Sequence, residues 1–419
     1  MIIDQKPFPE PELPPLPFSV QGVKRPVIDL SGCWTWSADP EDGHFQEIDL
    51  PCDMSALGLS PDLHRYTFRR IIEIPADYDG CHTRLRFDGA AYAASVFIDG
   101  HEAGRHVGGF TTWDLDITEL VTPGTEATLT VVTQDAKGVL NPDNLGGLIR
   151  PIRLIALPSC FIRRLHDQTF LCKNAVDFDL LIQIETEGSS PGAISLRLMA
   201  PDGQIVLSEI LPEDQVHHPI RRTLTAPLSW DAEHPRLYQL FVTLDCGQFG
   251  CETVCRFVGF RDIRWSDSQI FINGQPIKLR GVCYQDASPL KGKALSLEQL
   301  TLDLHLLKSA HVNFIRTAGR PPRPELLDLC DKLGFYVQVD APFVQIGQDL
   351  PAVQNNPFMQ EELLGQVSEM VERDKDHPSL LIWGLGSECA WGYLFRQAAA
   401  HIRSADHTRP LIFSFPMSH

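Results

Sequence analysis

The pattern of apolar residues changes once along the chain, near residue 262, and this change sets the fold class. Before it, apolar residues alternate with polar or small ones, as in "RLRFDGAAYAASVFIDGHEAG" and "ATLTVVTQD". This period of two, with Gly, Pro and Asp between the segments, is typical of β-strands. The Asp99-Gly100 step suits a tight hairpin turn. We therefore predict a β-sandwich over residues 20–157.

A second β series and a proline-rich arm complete the first 262 residues. The segments "DFDLLIQIET", "AISLRLMAPDG" and "RLYQLFVTLD" also alternate, and they predict a smaller sandwich over residues 158–262. Residues 7–18 are rich in proline, which fixes φ and removes amide donors. We expect residues 1–19 to form an extended arm.

Beyond residue 262, strand and helix patterns alternate, which predicts parallel β/α units. Ser296 and Gln299 form a capping-box pattern before one helix, and Gly334 suits the end of the next. About five strands and four helices are predicted in residues 263–419, whereas a closed barrel has eight of each. The predicted fold is therefore multidomain, with two β-sandwiches followed by an α/β domain that forms part of a TIM barrel.

Charge and cysteine usage restrict the function. Asp and Glu number 54 against 36 Lys and Arg, a net charge of −18, which disfavours binding to nucleic acid or anionic membranes. The N-terminal segment lacks the pattern of a signal peptide, and no apolar run approaches the roughly 18 residues of a membrane span. The 11 cysteines include no CxxC pair. We expect a cytoplasmic protein with reduced thiols, no metal site and no cofactor.

The segment "HPSLLIWGLGSECAW", residues 377–391, is typical of a buried strand that ends in glycines, a serine and Glu388. Catalytic side chains of β/α barrels lie at the carboxyl ends of the strands, and Glu388 follows the fourth predicted strand. It is therefore a candidate catalytic acid. The alternative is that Glu388 only favours the positive N-terminus of the following helix.

Six segments, in order along the chain, resemble those of glycoside hydrolase family 2, the β-galactosidase, β-glucuronidase and β-mannosidase group. "FDGAAYAASVFIDGHEAGRHVGGFTTWDLDIT" and "NLGGLIRPIRL" resemble its sugar-binding jelly-roll domain. "WDAEHPRLYQLFVTL", with "VGFRDI", resembles the end of its immunoglobulin-like domain. "FINGQPIKLRGV", "NFIRTAGRPPRPELLDLCDKLGFYVQVDAP" and "RDKDHPSLLIWGLGSE" resemble its TIM barrel. The resemblance implies hydrolysis of terminal β-glycosidic bonds with retention of configuration.

The resemblance also implies roles for individual residues. Glu388 matches the family's general acid/base, which protonates the glycosidic oxygen and later activates water. Aromatic rings beside it would pack against the C–H faces of a sugar. The implied substrate contacts are Ser387, Asp286, Gln285, Arg316, Asp340, Trp383 and Trp391.

Several of these positions depart from the family pattern. Ser387 stands where the family has an asparagine that holds the substrate 2-hydroxyl, and serine offers one donor instead of two. Asp340 stands where the family has a glutamate, and the family's histidine is replaced around Gly319. Cys283, Tyr284, Gln285 and Asp286 replace asparagine, a basic residue, histidine and glutamate. This drift fits either an altered substrate or a site no longer used for catalysis.

The expected nucleophile is missing from this sequence. A retaining glycosidase needs two carboxylates about 5 to 5.5 Å apart, and relatives take the nucleophile from the seventh barrel strand. After Glu388 the only acid is Asp406, before the fifth predicted strand and so at its amino end. Three interpretations stay open: a glycosidase represented by an incomplete chain, a pseudoenzyme or carbohydrate-binding protein, or an enzyme completed by another chain.

The expected partners follow from the same features. The ligand is a β-linked sugar or glycoside, and neither nucleic acid nor membrane is expected. A parallel sheet of about five strands leaves the outer edge of "LIFSF" unpaired, and such an edge favours association. We therefore expect a homo-oligomer formed through the exposed edge of the barrel.

Overall fold

The computed structural model describes residues 19–22, 27–59, 64–136, 145–188, 192–212, 218–245, 251–266, 268–345 and 357–415. The prediction for the proline-rich segment, residues 7–18, lies outside the described residues. Within these ranges, no helix is long and apolar enough to cross a membrane.

Residues 19–157 contain the first eleven strands described. They are β1 (Ser19–Gly22), β2 (Val27–Asp29), β3 (Gly32–Ser37), β4 (Gln46–Leu50), β5 (Arg65–Glu73), β6 (His82–Phe87), β7 (Ala93–Ile98), β8 (His101–Val107), β9 (Trp113–Asp116), β10 (Glu126–Gln134) and β11 (Ile152–Leu157). Strands β4-β3-β5-β10-β7-β8 form one antiparallel sheet, and β2-β11-β6-β9 form another. Side chains of both sheets, including Trp34, Phe68 and Leu85, share one core. These two sheets are the first sandwich.

The turn between β7 and β8 forms as predicted. Asp99 and Gly100 have φ values of 47° and 82°, and two successive residues with positive φ suit a two-residue hairpin. The Asp99 carboxylate also accepts a hydrogen bond from the Thr128 amide at 2.7 Å, which fixes the turn to β10.

Residues 160–258 contain the strands of a second sandwich. They are β12 (Cys160–Leu171), β13 (Phe178–Gly188), β14 (Ile194–Met199), β15 (Ile205–Leu211), β16 (Ile220–Leu224), β17 (Tyr238–Asp245) and β18 (Cys251–Val258). One sheet has the order β1-β18-β17-β14-β15, and the other β12-β13-β16. Strand β1 therefore pairs with the second sandwich, although the sequence analysis placed its residues in the arm and the first sandwich.

The remaining described elements form a short antiparallel sheet and then β/α units. The strands are β19 (Ile263–Trp265), β20 (Ile270–Ile272), β21 (Gln275–Pro276), β22 (Gly281–Cys283), β23 (Phe314–Arg316), β24 (Tyr336–Asp340), β25 (Leu380–Gly384) and β26 (Leu411–Ile412). The helices are α1 (Leu297–Ser309), α2 (Pro324–Leu333), α3 (Pro357–Asp374) and α4 (Tyr393–Ala405). Strands β22 to β26 are parallel and lie in chain order in one sheet.

Local signals fix the ends of these helices. The Ser296 hydroxyl accepts a hydrogen bond from the Gln299 amide at 3.2 Å, as the capping box predicts. The Gln299 side chain instead donates to Asp303 at 2.7 Å, so the reciprocal half of the box is replaced by a pair within the helix. Gly334 ends α2 with a φ of 78°, and a Cβ there would lie 2.3 Å from the carbonyl oxygen of Ala232.

The helices cover the parallel sheet through one apolar core, which includes Leu327, Val339 and Trp383. The second sandwich packs on this domain, where the Trp230 indole donates to the carbonyl oxygen of Asp331 at 3.0 Å. Two sandwiches followed by a five-stranded part of a TIM barrel confirm the predicted fold class. The boundaries at residues 19, 157 and 262 stay predictions.

Candidate active site

The carboxyl ends of β22 to β26 lie together at one end of the parallel sheet, which we call the mouth. The candidate residues in or just after these strands are Gln285, Arg316, Asp340, Ser387 and Glu388. The opposite end of the sheet, where these strands begin, is called the floor. It carries Asp331, His377, Asp406 and Arg409. Ligand sites of β/α barrels form at the carboxyl ends of the strands. The mouth is therefore the place to look for a catalytic site.

Glycines allow the chain to leave β25 close to its neighbour. A Cβ at Gly384 would lie 1.9 Å from the Oδ1 atom of Asp340, and one at Gly386 would lie 2.6 Å from the carbonyl oxygen of Phe343. Gly386 also has a φ of 111°, which favours glycine. The "GLG" sequence thus permits the approach that brings the Glu388 segment beside the end of β24.

Glu388 lies exposed at the mouth with a φ of 55°. The preceding residue, Ser387, is fixed by two backbone hydrogen bonds: its amide donates to Phe343 at 2.8 Å, and its carbonyl accepts from Gln345 at 2.9 Å. The Gln345 side-chain amide donates to Oε2 of Glu388 at 3.3 Å. Glu388 therefore presents a carboxylate to solvent with one amide donor beside it.

Asp340 is completely buried, and its carboxylate oxygens are bound by other protein groups. Its Oδ2 atom lies 2.7 Å from Nη2 of Arg316 and accepts from Nε of the same residue at 2.8 Å, while Oδ1 accepts from Gln338 at 2.7 Å. Burial raises the pKa of Asp340, although Arg316 and Gln338 oppose this effect. Asp340 orients Arg316 in this structure, and its implied contact with a substrate stays a prediction.

Arg316 itself remains partly exposed, with 24% of its side chain accessible. Its Nη2 atom donates to the Ser414 hydroxyl at 3.1 Å, which joins the ends of β23 and β26. Gln285 is exposed and donates from its side chain to the carbonyl of Ala318 at 3.4 Å. Arg316 and Gln285 therefore stay available at the mouth as hydrogen-bond donors.

Asp286 is also engaged by other protein groups. Its carboxylate is buried and accepts from Nη2 of Arg150 at 3.1 Å and from the Arg323 amide at 3.0 Å. Nε of Arg320 lies 3.6 Å from its other oxygen. Arg150 belongs to the first sandwich, so Asp286 forms an ion pair that joins the sandwich to the barrel domain, and its implied contact with a sugar stays a prediction.

The two tryptophans near Glu388 differ. Trp383 is fully buried in the core beneath the helices, and its indole donates to Asp406 at 2.8 Å, so its ring is not accessible to solvent; its implied contact with a sugar stays a prediction. Trp391 is 44% exposed and contacts Phe413 edge to face, with ring centroids 5.0 Å apart. Only Trp391 of this pair offers an aromatic surface to solvent.

Asp406 lies at the floor, away from Glu388. Its carboxylate forms a close ion pair with Arg409 and also accepts from the Trp383 indole. Burial alone would raise the pKa of Asp406, but Arg409, Thr408 and Trp383 hold it well below its ordinary value. This aspartate is a structural anion.

Three ligand-type side chains lie together at the floor in the part of the chain that the structure describes. The donor atoms of Asp328, Asp331 and His377 are all within 4.8 Å of one another. Asp331 already pairs with Nδ1 of His377 at 2.7 Å and accepts from the Ser379 amide at 2.8 Å. These contacts account for the cluster without an ion.

The sequence analysis missed Gln345 and Ser414, which contact Glu388 and Arg316 respectively. Both follow the carboxyl ends of strands, β24 and β26. Their position after those strands was the available signal. It does not distinguish a side chain that faces the mouth from one that faces the helices.

Comparisons with known proteins agree with this architecture. Residues 263–416 match the family model described as the TIM barrel domain of glycosyl hydrolases family 2. Residues 61–141 match the model described as the galactose-binding domain-like region of glycosyl hydrolase 2.

Similar curated proteins include a β-galactosidase of Kluyveromyces lactis, 28% identical over 78% of this chain and 37% of its own length. A putative β-glucuronidase of Formosa agariphila is 27% identical over 84% of this chain and 43% of its own length. The chain thus spans less than half the length of these two relatives.

Among solved structures, a β-glucuronidase of Ruminococcus gnavus superimposes with a TM-score of 0.85 at 20% identity, covering 95% of this chain and 74% of that one. This likeness concerns the fold. The two family models, which match the first sandwich and the barrel domain in order, lead to one conclusion: the chain belongs to glycoside hydrolase family 2.

Proposed function

We propose that this chain provides the acid/base half of a retaining β-glycosidase site, which removes terminal β-linked sugars. The observation that carries the proposal is the exposed carboxylate of Glu388 at the mouth, which accepts a hydrogen bond from the Gln345 side chain. Relatives named β-galactosidase and β-glucuronidase support the same class of reaction.

In this mechanism Glu388 donates a proton to the glycosidic oxygen as the bond to the leaving group breaks. The resulting carboxylate then takes a proton from the water that attacks the sugar. Gln345 holds the Glu388 side chain through its amide, and Ser387 and Gln285 offer hydrogen bonds to sugar hydroxyls. Trp391 offers an exposed ring beside them.

The three aspartates discussed above are each engaged elsewhere. Asp340 and Asp286 are buried and occupied by arginines, and Asp406 lies at the floor. We infer that the second carboxylate, about 5 to 5.5 Å from Glu388 in a retaining enzyme, comes from none of these three residues.

The test is the dependence of turnover on the leaving group. In a protein with the barrel completed, Glu388→Gln should reduce hydrolysis of alkyl β-glycosides far more than that of activated aryl β-glycosides, because a good leaving group needs little protonation. The matched control is Glu298→Gln, a change at an exposed acid of α1. Equal losses on both substrate classes would remove Glu388 from this role.

A second candidate function is carbohydrate binding without turnover. It is favoured by Ser387, where the family has asparagine, and by the structural roles of Asp340 and Asp286. Saturable binding of monosaccharides or sugar lactones, with no hydrolysis of any β-glycoside by the completed protein, would select it.

We further propose that this 419-residue chain self-associates through the lateral edge of the parallel sheet, which is formed by β26. Among the described residues, strand β26 pairs on one side only; Ile412 in this strand and Phe415 after it are 40% and 64% exposed. A cavity of about 800 Å³, lined by Leu279, Ile382 and Leu411 among others, opens at the same edge. Unpaired strand edges with apolar side chains promote association.

Sedimentation over a range of concentrations tests this association. The wild-type chain should form dimers or larger species, and Ile412→Lys should weaken them, because a charge at a strand edge opposes pairing. Ile71→Lys, at a 65% exposed position of the first sandwich, is the control. A monomeric wild-type chain at high micromolar concentration would contradict the proposal.

A cytoplasmic location is also proposed. Its support is that nine cysteines among the described residues are free thiols, several of them accessible. Thiol labelling of the protein in its native cells would find these groups reduced; disulfides would contradict the proposal.

A further inference from the structure

Strand β15 forms one edge of the second sandwich. It is seven residues long and is the last strand of its sheet. Among the residues that the structure describes, it pairs on one side only, with β14. The other side of such a strand carries unpaired amide and carbonyl groups, which can bind a further strand. Nothing in the proposed glycosidase mechanism uses this edge.

The exposed side chains of β15 are mostly apolar. Ile205, Val206 and Ile210 are 56%, 45% and 73% exposed. The only charged residue of the strand is Glu209, whose carboxylate accepts hydrogen bonds from Nε and Nη2 of Arg222 in β16, at 3.0 and 2.8 Å. This charge is therefore paired within the sandwich, and the strand presents aliphatic side chains to solvent.

Other edge strands of the two sandwiches carry charges that oppose pairing with another chain. A charged side chain on an edge strand disfavours the addition of a further strand. Strands β4, β8 and β16 are edges of their sheets, and each exposes charged side chains: Glu47 and Asp49, Glu102 and Arg105, and Arg221. The exposed residues of β15 include no charged one. Strand β15 therefore lacks the protection that those three edges have.

The surroundings of β15 are also less acidic than the chain as a whole. The chain carries a net charge of −18, so two copies repel each other on average. Strands β14, β15 and β16 together contain three arginines and one glutamate, and Asp202 in the turn before β15 adds one acid. Two copies can therefore meet at β15 with less repulsion than the net charge imposes on average.

We propose that β15 binds β15 of a second copy of this chain, as two antiparallel strands related by a two-fold axis at Ser208. Ser208 is exposed and lies in the regular part of the strand, because residues 207–211 pair with β14 without a register shift. The axis places Ile210 of one protomer opposite Val206 of its partner, and side chains that are paired in this way lie on the same face.

The proposed register avoids like charges and closes on itself. Glu209 of one protomer lies opposite Leu207 of its partner, so the two glutamates do not face each other across the axis. A two-fold interface uses the same surface of both copies, so association stops at a dimer. This dimer is independent of Glu388 and uses a different edge from β26. Failure of the tests below would leave the proposed glycosidase function unchanged.

The first test measures association in the Ile412→Lys chain, so that pairing through β26 does not contribute. Sedimentation should still show dimers, and adding Ile210→Lys should raise their dissociation constant about tenfold or more, because a charge then lies within the paired edge. Ile71→Lys, at an exposed position of the first sandwich, is the matched control and should leave the dissociation constant unchanged.

Two results of that experiment would overturn the proposal. One is an Ile412→Lys chain that stays monomeric at high micromolar concentration. The other is an equal dissociation constant after Ile210→Lys and after Ile71→Lys, which would place the interface away from β15.

A disulfide tests the position of the axis. Ser208→Cys brings the two introduced thiols together, because opposed residues of antiparallel strands have Cα atoms about 4.5 to 5.5 Å apart, which a disulfide can bridge. Mild oxidation should give a covalent dimer that a reductant separates. Gln183→Cys, at an exposed position of the central strand β13, is the control and also reports the background from the native thiols. No more covalent dimer from Ser208→Cys than from Gln183→Cys would overturn an axis at Ser208.

Discussion

The two ends of the parallel sheet use polar residues in opposite ways. At the floor, Asp331, Asp406 and Arg409 are buried and each is bound by other protein groups. At the mouth, Glu388 is exposed and its side chain contacts Gln345 at 3.3 Å. The comparison teaches that the polar groups named at the amino ends are all engaged by the protein, whereas the carboxyl ends combine an engaged pair, Asp340 with Arg316, with the exposed carboxylate of Glu388.

Asp331→Ala should give the largest loss of stability. Asp331 binds both His377 and the Ser379 amide, so its removal takes the acceptor from a partly buried imidazole and from a buried amide. We expect the free energy of unfolding to fall by about 3–5 kcal/mol in urea denaturation. Glu298→Ala, at an exposed acid of α1, is the control. If the two variants lose similar stability, the floor does not have the structural role described here.

The pH dependence of the free energy of unfolding should reveal the contribution of the His377–Asp331 ion pair. Burial lowers the pKa of His377, but the charge and hydrogen bond of Asp331 outweigh it and raise the pKa from 6.5 to about 9. A raised pKa means that the folded state holds the proton more tightly, so this stabilisation is complete below about pH 6.5 and is lost as pH rises through about 9. It amounts to about 3 kcal/mol at most.

Urea denaturation at pH values on either side of this window measures the effect. The wild-type chain should lose stability across the window, and His377→Gln should lose much less, because glutamine does not titrate. Parallel pH profiles for the two proteins would show that the His377–Asp331 pair contributes little.

Glu388→Gln should have the smallest effect on stability. The side chain is exposed, and glutamine preserves its size, so the free energy of unfolding should change by less than about 0.5 kcal/mol. Asp340→Ala is the contrasting variant, because it removes a buried carboxylate at the mouth. It should lower the free energy of unfolding far more. A large destabilisation by Glu388→Gln would mean that Glu388 is part of the scaffold.

The features predicted well from the sequence depend on neighbouring residues. The Asp99-Gly100 turn, the Ser296 cap and the Gly334 helix end are each determined within a few positions of the chain. The order of strands and helices follows from apolar periodicity, which also has a short range. These signals were sufficient for the fold class.

The site was predicted less well, because burial depends on distant partners. Asp286 is bound by Arg150, which lies 136 positions earlier in the chain, in the first sandwich. Trp383 faces the helices and Asp406, and position near the end of a strand does not fix which face a side chain occupies. For the same reason Gln345 and Ser414, which do contact mouth residues, were not identified.

Sugar binding at the mouth is tested most directly by backbone amide NMR of the 419-residue chain. The ligands are neutral monosaccharides and sugar lactones, added to millimolar concentration. We predict saturable shifts for the amides of Gln285, Ser387 and Glu388 and none for Asp331 or Arg409 at the floor. The absence of saturable shifts with every sugar, or shifts confined to the floor, would contradict a sugar site at the mouth.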